Sequence, residues 1–275
     1  MSAAATGSRS GRFLTAYAAL FIVFLYLPVT LLPIFSINES AVPKFPLTGT
    51  TLKWYEGLSK TPALLDAAWN SLVVGVSAAL LSTLLGICAA RAITRYRFRG
   101  QRPMQGLIMA PLVMPEIIVA VSLLIILLAV GLPLTLLTII MGHVLVCVPY
   151  SISVLVSGFE GFDRSLEEAS ADLGETAFGT FRRVTLPMMT PAIISSLLVA
   201  FTISLDDFIM AFFLGGNDTT LPVYIWGQLR FAARLPSVLA LGTLMLILSI
   251  VLLTVAEIMR RRAAARTNTS GGLIA

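Results

Sequence analysis

Glu116, Asp206 and Asp207 lie inside long apolar runs of a chain that is 57% hydrophobic and only 12% charged. A carboxylate at membrane depth costs about 2.5–3.5 kcal/mol on insertion scales, so it normally faces the protein interior and serves a function. The chemistry open to these three is electrostatic reception of a cation. Carboxylates at two depths offer several partial sites and no single deep trap. Ser195, Thr202 and Asp206, spaced by seven and four, share one helical face; Asp207 lies about 100° round, with Ser196 and Ile203. In the competing reading, Asp206 or Asp207 caps a helix, pairs with Arg230 or Arg234, or meets water. Covalent and metal chemistry lack their parts. His143, the only histidine, reads as a hydrogen-bonded interior residue, and Cys88 and Cys147 read as small buried hydrophobes. No C-x-x-C, H-E-x-x-H or phosphate-binding G-x-x-x-x-G-K-[ST] occurs. No residue is therefore assigned a catalytic or metal-binding role, and no cofactor is assigned to the chain itself.

The elements that must position these groups are membrane spans. Six apolar segments, at 13–36, 68–92, 104–130, 133–157, 188–214 and 237–259, are each long enough to cross a hydrocarbon core of about 30 Å. Spanning segments must satisfy their own backbone, so they are expected as helices. Along a straight span three, Glu116 would lie about 18 Å from the cytoplasmic end; along span five, Asp206 would lie about 27 Å up. Pro111 and Pro115 would kink span three around Glu116. The first segment has Arg9 and Arg12 ahead of it and reads as an uncleaved signal anchor. Basic residues set the orientation: fourteen of the nineteen, from Arg9 and Arg12 through Arg91–Arg102, Arg164, Arg182, Arg183 and Arg260–Arg266, fall on one side. The positive-inside rule makes that side cytoplasmic, with both termini. The surplus of +5 is then a topology signal, and nucleic acid is not an expected partner.

The domain reading is a tail at 1–12, one transmembrane domain at 13–262 and a disordered tail at 263–275. Residues 37–67 carry Trp54 and Tyr55 and predict a short helix at the outer interface. Residues 215–236 are too apolar for a free loop and are expected to dip back toward the bundle. The cytoplasmic loop at 160–187 alternates apolar positions (Leu166, Ala169, Leu173, Phe178, Phe181) with acids and arginines. That spacing predicts a short helix, a turn at Gly174 and a second short helix. Pro187 suits the first turn of the next span, where its missing N–H costs nothing.

Glu168-Ala169-Ser170-Ala171-Asp172-Leu173-Gly174, followed nine residues later by Val184-Thr185-Leu186-Pro187, resembles the EAA loop of permease subunits in bacterial ABC importers. Ser170 stands for the second alanine of that motif and Val184 for its isoleucine; a hydroxyl at a tight contact needs a partner if buried. The similarity extends over nearly the whole chain and is greatest to permeases of the spermidine/putrescine type. Its carriers include Ala110–Glu116, Phe201–Asp207 and Thr219–Pro222. It implies an all-α inner-membrane protein with six transmembrane helices in the type I importer (MetI-like) architecture. It implies Glu168, Ala169, Ser170, Asp172, Gly174, Leu186 and Pro187 as the ATPase-coupling residues. Asp206, Asp207, Glu116 and Thr202 are the candidates for the substrate pathway. The implied partners are a second permease, usually a different related chain, two ATPase subunits carrying ATP and Mg, and an extracytoplasmic solute-binding protein. Related permeases carry opines, phosphonates, sulfate or ferric iron; acidic groups on the path favour a cation, hence a polyamine. A secondary transporter would need its own coupling site and usually an internal repeat. An intramembrane serine–histidine protease would need His143 beside a nucleophilic serine.

Overall fold

The computed structural model describes residues 7–40 and 42–270. Its helices are α1 (Gly7–Ser36), α2 (Lys53–Leu58), α3 (Pro62–Arg95), α4 (Gln101–Val113), α5 (Glu116–Ala129), α6 (Leu136–Glu160), α7 (Ser165–Asp172) and α8 (Ala177–Thr180). A π-helical turn, Phe181–Thr185, leads into α9 (Leu186–Asp206). Then come α10 (Ile209–Leu214), α11 (Leu221–Gln228), a 3-10 turn at Ala232–Arg234 and α12 (Leu235–Ser270). Among the described residues, five helical stretches are long and apolar enough to cross a membrane, and the bent α4–α5 pair makes a sixth if counted as one span.

The chain divides into two compact units. The larger comprises residues 62–226 and 248–275. Its centre is the packing of α3, α6 and α9 on one another. Lipid gives apolar helices no hydrophobic reason to associate, so close packing and interhelical hydrogen bonds hold such a bundle. Helix α3 accordingly buries a stripe of small residues at three- and four-residue spacing, from Ser71 through Gly75, Ala78, Ala79, Ser82, Thr83 and Gly86 to Ala90. Gly158 of α6 marks another close approach: a Cβ there would lie 2.5 Å from the Cβ of Ala192 in α9. Hydroxyls bridge these seams, with Thr83 Oγ1 3.0 Å from Ser196 Oγ and Ser151 Oγ donating to Ser82 Oγ at 3.3 Å. Cys147 is buried and its thiol donates to Ala200 O at 3.5 Å. Cys88 departs from the expectation of burial, because it lies on the outward face of α3 beside exposed Leu84 and Leu85.

The smaller unit comprises residues 1–61 and 227–247, of which 1–6 and 41 lie outside the described residues. The expected interfacial helix is α2. Trp54 Nε1 donates to Asn38 O at 2.8 Å and the Tyr55 hydroxyl meets Ser36 Oγ at 2.5 Å, fastening α2 to the end of α1. In the larger unit, the segment after Gly215 does fold back on α3: Asn70 Nδ2 donates to Thr219 O at 3.0 Å, and Leu221 N–H donates to Ser71 Oγ at 2.7 Å. Asp218 accepts from Leu136 N–H at 2.7 Å and closes the start of α6.

Two spans depart from the straight helices used for the depth arithmetic. Span three is two helices at 106°, broken at Met114 and Pro115. A residue before proline is pushed toward extended backbone, and Met114 has φ −82° and ψ 143°. The rise along α4 therefore does not carry Glu116 toward the midplane along one axis. Span five breaks at Asp207, extended at φ −71° and ψ 116°, before resuming as α10. The tail expected at 263–275 also differs. Helix α12 runs on to Ser270, and its Arg260–Arg266 stretch consists of residues of high helix propensity; 271–275 lie outside the described residues. At the other end α1 begins at Gly7, inside the expected tail.

Candidate functional site

The loop at 160–187 is a built structure and not a solvated connector. Asp163 Oδ1 accepts from Ser165 N–H at 2.9 Å, which holds its carboxyl below its ordinary pKa and starts α7. The helix ends in a Schellman motif. Glu175 N–H donates to Ser170 O at 3.2 Å and Gly174 N–H to Ala171 O at 2.9 Å, with Gly174 at φ +86°. Thr176 then caps α8, its Oγ1 accepting from Gly179 N–H at 3.1 Å. Pro187 falls in the first turn of α9. The turn at Gly174 and the two short helices are those expected.

The motif residues divide between two faces. Ser170 is buried, with its hydroxyl 3.0 Å from Thr180 Oγ1, so it ties α7 to α8. Glu168, Ala169, Asp172, Gly174 and Pro187 are exposed, and Leu186 is at the margin of exposure. Among the described residues Glu168 pairs only with Arg164, one turn back, at 3.2 Å. Beside them Leu173 is 88% and Phe178 72% exposed, apolar surface that a loop without a partner has no reason to carry.

Glu167 is the residue that sequence reasoning missed. One carboxylate oxygen lies 2.7 Å from Arg95 Nε and the other accepts from Thr185 Oγ1 at 2.7 Å. It thus fastens α7 to the end of α3 and the start of span five. Its signal was present: Glu167 lies three residues before Ser170, on the same inward face. Arg91 adds a second fastening, with its guanidinium 4.4 Å from the Phe181 ring centroid.

In the spans, the two helix breaks meet. Asp207 has a side chain only 4% exposed, and its Oδ1 accepts from Met210 N–H at 3.1 Å, which caps α10. Its other oxygen is 3.8 Å from His143 Nε2, and the Glu116 carboxyl lies near it. His143 is an interior residue with Nδ1 2.6 Å from Ser204 Oγ, while its Nε2 lacks a hydrogen-bond partner. Asp206, the last residue of α9, is exposed and separate from this cluster. Thr202 is half-buried and donates its hydroxyl to Leu198 O at 2.8 Å. Arg234, in the smaller unit, donates to Gln228.

Residues 82–266 match the family described as binding-protein-dependent transport system inner membrane component. The chain belongs to that family. It is a multi-pass inner-membrane permease subunit, and the loop at 160–187 and both helix breaks fall inside the matched segment. The permease is 34% identical over 256 residues to the spermidine/putrescine transport system permease protein PotC of Haemophilus influenzae, covering 91% of this chain and 98% of that protein. It is 40% identical over 231 residues to the putrescine transport system permease protein PotI of Escherichia coli K12, covering 81% and 82%. Its fold matches a chain of a bacterial ABC transporter involved in import of the acidic polysaccharide alginate, with TM-score 0.69 at 20% identity over 93% of this chain and 96% of that one.

Proposed function

We propose that this permease forms half of the translocation pathway of an ATP-driven importer for a small organic cation, a polyamine of the putrescine–spermidine kind. The observation that carries the reading is the meeting of Glu116 and Asp207 at the breaks of two spans. Relatives whose names specify spermidine and putrescine support the solute class. An ammonium about 4 Å from a carboxylate gains about 1 kcal/mol in bulk water and about 4 kcal/mol at an effective dielectric near 20. Two acids in a water-poor site therefore select strongly for cationic solutes. Interrupted helices are tolerated at membrane depth where they line a cavity, and they are points about which a span can rearrange.

Energy comes from elsewhere, since the chain contains no phosphate-binding loop. Two ATPase subunits bearing ATP and Mg dock on the exposed face of α7, and movement of that face reaches the spans through Glu167, Arg95 and Thr185. A second, related permease supplies the other half of the path. A binding protein delivers solute from outside. A related fold has been captured with a periplasmic protein bearing alginate, with TM-score 0.67, which supports such a partner.

The test is uptake of putrescine and spermidine in proteoliposomes holding this permease with its partner permease, ATPase and binding protein. Polyamine should accumulate with ATP and not without it. Uptake that needs no ATPase would overturn the importer reading; uptake of an oxyanion in place of a polyamine would overturn the solute alone.

A further inference from the structure

A cavity of about 760 Å³ opens at the basic end of the larger unit, between the end of α3, the start of α4 and the α6–α7 junction. Arg95, Tyr96, Arg97, Gln101 and Arg164 bring donors to its wall, and Phe159 and Phe162 bring an apolar floor. Glu160 is the acid on that wall. Arg95 is stacked near both rings, at 5.7 Å and 5.5 Å from their centroids, and reaches Glu167; its Nη2 is buried without a hydrogen-bond partner. Arg164 is held by Glu168. Arg97 is exposed and has no ion pair among the described residues. The lining therefore holds three arginines, 95, 97 and 164, against one acid, Glu160, and in sequence Arg99 and Arg102 follow Arg97 as Asp163 precedes Arg164.

We infer that this cavity receives the phosphate headgroup of an anionic lipid from the cytoplasmic leaflet. Basic pockets between spans on that side of a membrane take such headgroups, and arginine forks match phosphate oxygens in pairs. Arg97 and Arg164 grip the phosphate, Tyr96 and Gln101 donate to it or to the glycerol, and the aromatic floor meets the first acyl carbons. The incomplete pairing of Arg95 explains why the site favours an anion although Glu160 lines it. The headgroup also lies beside the Arg95–Glu167 link, so its presence steadies the root of the coupling loop. This rests on the cytoplasmic placement of the loop and is independent of the transported solute.

The experiment uses the full-length chain, purified with the subunits that accompany it, in phosphatidylcholine vesicles with or without phosphatidylglycerol. Native mass spectrometry then reads the retained lipid. Wild type should retain phosphatidylglycerol in preference to phosphatidylcholine. Arg97→Gln should weaken retention about fivefold, as expected for one basic group near an anionic surface. Arg97→Lys, which keeps the charge and loses the fork, should restore it only in part, and Glu160→Gln should strengthen it. A structural defect would not strengthen binding, so the opposed signs separate a lost site from a damaged fold. Equal retention in wild type and Arg97→Gln, or weaker retention in Glu160→Gln, would overturn the proposal. So would displacement of the lipid by inorganic phosphate, which would assign the cavity to a soluble anion.

Discussion

Asp206 and Asp207 are adjacent in sequence but sit in different surroundings. Asp206 ends α9 and is exposed, whereas Asp207 is enclosed with Glu116 and His143 and also caps α10. Excluding water strengthens a charge's pull on a cation, so the enclosed acid should matter more. Asp207→Asn should lower polyamine uptake on the order of tenfold or more, and Asp206→Asn should lower it less. Asparagine keeps a carbonyl oxygen that can accept from Met210 N–H, so membrane levels and ATPase docking should persist. Uptake at the normal rate in Asp207→Asn, measured with labelled putrescine, would remove the cluster from the mechanism. His143 Nε2 lies 3.8 Å from the Asp207 carboxylate, and its ring is held by Ser204. His143→Gln should therefore raise the KM for polyamine more than it lowers the maximal rate. A fall in protein level alone would mark it as a packing residue.

At the scale of the element, the loop at 160–187, proposed to couple to the ATPase, depends on Gly174 for its backbone and not for space. A Cβ there would meet nothing within 4 Å, but φ is +86°. Left-handed backbone costs an L-residue about 1–2 kcal/mol, and asparagine tolerates it better than a β-branched residue. Gly174→Asn should keep most transport and ATPase association, while Gly174→Val should lose both with the protein still inserted. Equal activity in the two variants would show that the turn is not what the ATPase reads. Gly158 is the opposite case, limited by space, since α6 and α9 touch there. Gly158→Val should force these helices apart at a cost of about 1–3 kcal/mol. It should lower the melting temperature in detergent, and an unchanged melting temperature would contradict the close packing of α6 on α9.

At the scale of the molecule, fourteen of nineteen basic residues on one side set the orientation. A membrane-impermeant thiol reagent applied from the periplasm should label a cysteine at position 53 and miss one at position 97, in a background lacking Cys88 and Cys147. The reverse pattern would invert the topology and with it the placement of the coupling loop. Assembly belongs to the same scale. Helix α1 buries none of its apolar window within the chain, and the loop exposes Leu173 and Phe178; both surfaces call for lipid or partner subunits.

Span positions, the α7–turn–α8 loop and the family resemblance were legible in sequence because each rests on local pattern: apolar run length, glycine and proline at fixed offsets. The carboxylates were legible as anomalies in apolar runs. Their grouping was not. Helical spacing favoured Asp206 beside Thr202, but a break of one extended residue at Asp207 redirects α10, and a 106° bend brings Glu116 to it from another span. Proline at position 115 announced a disturbance without its angle, which depends on what the two halves pack against. Glu167 was passed over for Glu168 because choosing between adjacent acids requires knowing which face of α7 meets Arg95 and Thr185. The sequence alone determined which residues carry charge and where the chain must cross the membrane. Tertiary packing decided which charges meet, because the spacing within one helix marks its buried face without naming the distant helix that face meets.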